Sequence, residues 1–178
     1  MKLKTIDLTL CGIFAAVLAI CSWIQIPGPV PFTLQTFGVF AALGLLGGKR
    51  GTLSICVFLL LGAFGVPVFA GFKGGLGALF GATGGYLLGF LLSGLFVWFA
   101  EARFGSSLGV FIVSMIAGLL LCYAFGTAWF ITVYTRANGA ISIGKALMLC
   151  VIPFLPFDAI KLALAAAVRQ ALRKYVPA

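Results

Sequence analysis

The sequence predicts an all-α integral membrane protein, a bundle of six transmembrane helices with N- and C-termini cytoplasmic. Three observations carry this. Of 178 residues, 63% are hydrophobic and 8% charged, against about 25% charged in soluble domains. Mean hydropathy is +1.24. The apolar stretches are long and nearly free of charge, as helices that must satisfy their own backbone in hydrocarbon require. The length suits one membrane domain, residues 1–178.

Charges and turn residues set the elements in order. A first span runs over about 6–26 and ends at "PGPVP" (27–31). "LTLCG" (8–12) superficially matches a lipoprotein cleavage site, but Leu10 is too large before a lipidated cysteine, and Asp7 and Thr9 interrupt an apolar signal core. The second span, about 34–46, is short and stops at "GGKRG" (47–51). The third, about 52–64, meets "GVPVFAGFKGG" (65–75). A fourth covers about 84–103 and a fifth about 108–134, closed by "TRANG" (135–139). Residues 140–152 read as a further helical stretch. The last long helix starts near Phe157, after Pro153 and Pro156, because proline suits a first turn and disrupts an interior. From there to Lys174 is roughly 27 Å of helix, enough to cross the hydrocarbon.

Orientation follows from the basic residues. With a cytoplasmic N-terminus and six crossings, Lys2, Lys4, Lys49, Arg50, Arg103, Arg169, Arg173 and Lys174 fall inside, while Lys73, Arg136 and Lys145 fall outside. That satisfies the positive-inside bias, and the opposite orientation violates it. The outer face then holds the 27–35 connection, the 69–75 loop and the Asp158 end of the last helix.

The formal charge of +9 does not point to nucleic acid, since the basic residues lie scattered at segment ends without a patch. The five cysteines (Cys11, Cys21, Cys56, Cys122, Cys150) sit in or near apolar segments without metal-ligand spacing and read as small core residues. With no histidine, no paired carboxylates and no nucleophile–base arrangement, nothing points to an enzyme, a metal site or a cofactor. No GxxxxGK followed by Ser or Thr occurs, so energised transport would draw on another subunit.

Asp158 and Lys161 stand at i and i+3, on one helix face. An aspartate in a first turn favours the helix dipole, which makes an ion pair with helix capping one reading. A polar ligand site facing the bundle interior is the other, because ionisable residues in spans are rare and functional by default. A cap alone does not require Lys161 one turn deeper. "GFKGGLGALFGATGGYLLGF" (71–90) divides into a loop lining a cavity (71–77) and a helix-packing stripe, Gly81, Gly85 and Gly89. "PGPVPFTLQTF" (27–37) is either a plain connector or a stiff rim presenting Thr33 and Gln35. Ala15 with Ala19, and Gly12 with Ala16, form small-xxx-small pairs that signal a helix contact, internal or toward another protein.

Taken in order along essentially the whole chain, "PFTLQTF", "GAFGVPVFAGFKGG", "GATGGYLLGF" and "PFLPFDAIKLALAA" resemble the BioY family, the biotin-specific S components of energy-coupling factor (ECF) transporters. The resemblance implies a six-helix S-component fold in a bacterial or archaeal inner membrane, with a site open to the outside and covered by the first connection. It implies that Asp158 and Lys161 hold the polar groups of biotin. Gln35, Thr33, Phe32, Lys73, Gly75 and Tyr86 complete the substrate-binding set. It further implies delivery with a T component and ATP-binding subunits, with Ala15 and Ala19 as the T-component contact. A self-sufficient carrier is the alternative. One departure is Ala82 in "GATGG", where family members often carry proline. The chemistry is compatible: a ureido ring offers two N–H donors and a carbonyl, and a valerate tail is apolar with an anionic end.

Overall fold

In hydrocarbon a helix pairs its own N–H and C=O groups, so the apolar stretches become helices and the irregular backbone collects at their ends. The computed structural model describes residues 4–28 and 30–176. The elements are α1 (Thr5–Trp23), β1 (Gln25–Ile26), β2 (Phe32–Thr33), α2 (Gln35–Ala63), α3 (Leu76–Leu79), α4 (Gly84–Phe104), α5 (Leu108–Asn138), α6 (Ile143–Cys150) and α7 (Leu155–Leu172), followed by a 3-10 turn at Arg173–Tyr175. α1, α2, α4 and α5 are long and apolar enough to cross a membrane, and α6 with the 155–175 helix forms a pair bent by 42° that makes a fifth candidate. Large apolar side chains such as Ile13, Leu95, Phe99, Val113 and Leu120 face outward, as a lipid environment favours. This is a multi-pass membrane protein.

The second and third expected spans are one element. "GGKRG" forms no loop: the break is Gly47 alone, at φ 80 and ψ 168, a left-handed conformation that glycine adopts without penalty. A Cβ on Gly51 would lie 2.8 Å from the Cα of Leu43, although eight residues of straight helix span about 12 Å. The two arms, 35–46 and 48–63, therefore fold back on each other; with α1, α4, α5 and the bent α6–α7 pair they make six candidate crossing segments among the described residues. Charged groups fasten this reversal. The N–H of Gly48 donates to Glu101 Oε2 at 2.5 Å, and Arg50 pairs with Asp7 at 2.7 Å. Buried Arg169 donates to the carbonyls of Gly44 (3.2 Å) and Ser106 (2.5 Å) and lies 4.9 Å from the Phe111 ring centre. This end of the bundle is the basal end below; the β-hairpin marks the other.

α4 packs on α5 through Gly85 and Gly89 of the predicted stripe, whereas Gly81 lies in the turn before α4 and borders the cavity described below. A Cβ on Gly89 would meet Cys122 Sγ at 2.7 Å, and one on Gly85 would overlap Trp129. Trp129 Nε1 donates to the carbonyl of Gly81 at 3.0 Å. α7 begins two residues earlier than expected, with Pro156 in its first turn, where a missing N–H costs nothing.

One expectation is overturned in α1. Ala15 and Ala19 are 1% and 5% exposed and belong to the core of this chain, so they hold α1 to its own bundle and offer no face to a partner. Gly12 and Ala16 are the exposed small pair.

Arg169→Met should leave the buried carbonyl of Gly44 without its side-chain donor, while the exposed carbonyls of Ser106 and Ser107 keep Arg173 and the N–H of Phe111. An orphaned buried acceptor costs about 1–3 kcal/mol, so the melting temperature in detergent should fall by several degrees. An unchanged melting temperature would mean that the basal end does not depend on this side chain.

Candidate ligand-binding site

The hairpin end encloses a cavity of about 650 Å³, within the range of small-molecule sites. Its cover is the β-hairpin. β1 and β2 pair antiparallel, Gln25 with Thr33 and Ile26 with Phe32, and Leu34 N–H donates to the carbonyl of Ile24 at 3.0 Å. Pro27, Gly28, Val30 and Pro31 from the connecting turn line the cavity.

A second loop, 64–75, closes the adjacent side and is tied to the end of α1. Trp23 Nε1 donates to the carbonyl of Pro67 at 2.9 Å, the Ser22 hydroxyl donates to that of Val68, and the Trp23 ring stacks on Phe72 at 5.1 Å. Phe69 and Lys73 bridge in antiparallel fashion around a tight turn, in which Gly71 and Phe72 both take positive φ, 72° and 55°. A non-glycine residue there is uncommon, and its ring packing on Trp23 offsets the strain.

The polar end of the cavity is built on the first turns of α7 and α2. Asp158 is 1% exposed and Lys161 6%, and they pair at 2.9 Å. Thr36 Oγ1 donates to Asp158 Oδ1 at 2.7 Å and Tyr123 OH donates to Oδ2 at 2.5 Å. The Lys161 ammonium also donates to the carbonyl of Thr33 and to Thr36 Oγ1, each at 2.8 Å. An ammonium has three protons and an ionised carboxylate about four acceptor positions. All three protons of Lys161 are therefore committed, whereas Asp158 keeps one acceptor position on Oδ2. Nearby, Gln35 is 4% exposed and its Nε2 has no hydrogen-bond partner among the described residues. A buried donor left unpaired is costly, so this amide suits a ligand acceptor. Tyr86 OH and Thr127 Oγ1 share a hydrogen bond of 2.9 Å on another wall, where Gly126 leaves room for the Tyr86 ring.

Six of the expected binding residues, Asp158, Lys161, Gln35, Thr33, Lys73 and Tyr86, thus line one cavity. Two do not. Gly75 caps α3 at φ 88 and its N–H donates to the carbonyl of Gly62 at 2.6 Å, so it anchors the loop onto α2. Phe32 stacks on Phe154 at 5.4 Å and meets Phe157 edge-on at 4.8 Å, outside the cavity lining. Successive strand side chains point to opposite faces; Thr33 takes the cavity side and Phe32 the other. Thr36 and Tyr123 were not anticipated, although Thr36 lies inside the "PFTLQTF" stretch.

A family model described as the BioY family matches residues 1–178. Among curated proteins, the biotin transporter BioY of Thermotoga maritima is 46% identical, with 92% of this chain and 93% of that protein covered. Biotin transporter BioY2 of Lactococcus lactis subsp. cremoris is 36% identical over 89% of this chain and 85% of that protein. A solved structure of the S-component for biotin from an ECF-type ABC transporter superposes with a TM-score of 0.80 at 29% identity, covering 94% of this chain and 90% of that one.

Proposed function

The chain belongs to the BioY family, and from that premise we propose that it is the substrate-binding membrane subunit of an ECF transporter, one domain that captures biotin outside the cell and delivers it with a T component and ATP-binding subunits. The observation that carries this is the polar end of the cavity. It offers one free acceptor, on Asp158 Oδ2, and one free donor group, the Gln35 amide. A ureido ring needs that complement: its N–H donates to the carboxylate and its carbonyl accepts from the amide. Lys161 and Thr36 hold the carboxylate in place, and Tyr123 fixes its second oxygen. Leu87, Phe90 and Leu119 give the apolar wall that a bicyclic ring and valerate chain require. Lys73, an exposed cation that also borders the cavity, suits the anionic end of the tail.

In this orientation the hairpin end faces outward and both termini face the cytoplasm, as the distribution of lysine and arginine favours. For the T component, the exposed pair Gly12 and Ala16 replaces Ala15 and Ala19. A Cβ on Gly12 would meet nothing within 4 Å, which leaves space for another helix to approach.

The test is uptake of labelled biotin by cells carrying this chain with or without an ECF T component and ATPases. Uptake should require the partners, because the chain has no nucleotide-binding loop of its own. Robust uptake without them would favour the self-sufficient carrier.

A further inference from the structure

The β1–β2 hairpin covers the cavity, yet two-residue strands cannot hold themselves in place: an isolated two-stranded hairpin is marginally stable at best. Its flank toward the 64–75 loop continues from α1, which Trp23 and Ser22 fasten to Pro67 and Val68. On the opposite flank the ties among the described residues are the Phe32 ring and the Thr33 carbonyl, which accepts from Lys161. The Phe32 ring sits 5.4 Å from Phe154 and 4.8 Å from Phe157, with the Lys161 ammonium 4.6 Å from its centre. Phe154 and Lys161 line the cavity with their other sides, but Phe32 itself lies outside the lining and so does nothing for a ligand directly.

We infer that Phe32 is a positioning residue, a clasp whose seat between Phe154, Phe157 and Lys161 holds the hairpin closed and sets the rates at which ligand enters and leaves. Two features of the seat support this. Phe154 and Phe157 stand where α6 gives way to α7 across a 42° bend, at the edge of the bundle where a ring can leave without opening a hole in the core. Lys161 belongs to both the clasp and the polar cluster. It also holds the hairpin backbone through the carbonyl of Thr33, so lifting the hairpin would free one ammonium proton beside Asp158. Closure and the arrangement of the polar groups are thereby one event. The inference rests on the reading of the cavity as a ligand site.

A clasp and a ligand-contacting wall differ in kinetics. Loss of a wall contact speeds dissociation and leaves association nearly unchanged, whereas loss of a clasp on a cover speeds both. In purified protein, Phe32→Ala should raise the association and dissociation rates of biotin together, each by about ten-fold, with a much smaller change in Kd. Phe157→Ala should do the same more weakly. In the ligand-free protein, amide hydrogen exchange at Thr33 and Leu34 should rise in both variants while the middle of α1 keeps its protection. A rise in dissociation alone, or unchanged exchange at the hairpin, would overturn the clasp. If the unmodified protein failed to bind biotin, the ligand reading would fall, and hairpin exchange would still decide whether Phe32 holds the cover.

Discussion

Lys161→Met is expected to lower the melting temperature sharply, in the presence and absence of biotin. Methionine nearly matches the lysine stem in length but donates nothing, so the carbonyl of Thr33, Thr36 Oγ1 and Asp158 Oδ1 each lose a partner at 2.8–2.9 Å. The heaviest loss falls on Asp158, which at 1% exposure is shielded from bulk solvent. Removing one member of a buried ion pair typically costs about 3–5 kcal/mol, because the other is left as an uncompensated buried charge. A second effect follows on binding, because the carboxylate and the Thr33 segment both lose their fixed position. A melting temperature that stays within a degree of the unmodified protein would show that the pair is not structural. A loss much larger with biotin than without it would put Lys161 in direct contact with the ligand.

Asp158→Asn is expected to fold with a lower melting temperature and to bind the ligand much more weakly. The amide oxygen can still accept from Lys161 and Thr36 and the amide nitrogen can donate to the Tyr123 hydroxyl, but the Tyr123 proton loses its acceptor and the buried Lys161 ammonium its counter-charge, so the melting temperature should fall. What disappears is the negative charge and the free acceptor on Oδ2. A hydrogen bond to a charged group is worth about 1.5–3 kcal/mol, and affinity for biotin should fall roughly ten- to hundred-fold. Titration calorimetry reads this directly. An unchanged affinity would remove Asp158 from the site.

The helix ends were legible because charge and proline are scarce in this chain and costly within a span, so each marked a boundary. The Asp158–Lys161 pair was legible for the same reason: two opposite charges in an apolar helix need a partner or a purpose. The reversal at Gly47 was not. Two glycines followed by Lys49 and Arg50 look like a loop, and only the tertiary partners, Asp7 and Glu101, show why a single glycine suffices. Thr36 and Tyr123 escaped because hydroxyls are common in membrane helices and their partner is 122 and 35 residues away. Phe32 was misplaced for want of the strand register, which turns neighbouring side chains to opposite faces. Ala15 and Ala19 show the limit of a small-residue spacing. It signals a close helix contact, and packing alone decides whether the contact is internal, as it is here.

The central claim is that the cavity beneath the hairpin is a biotin site complete within this chain. Titration calorimetry of the purified protein in detergent with biotin, without nucleotide or partner subunits, tests it most directly. Saturable binding at one site per chain is expected, weakened strongly by Asp158→Asn and unaffected by added ATP. No saturable binding by protein that melts cooperatively, or binding that Asp158→Asn leaves intact, would contradict it.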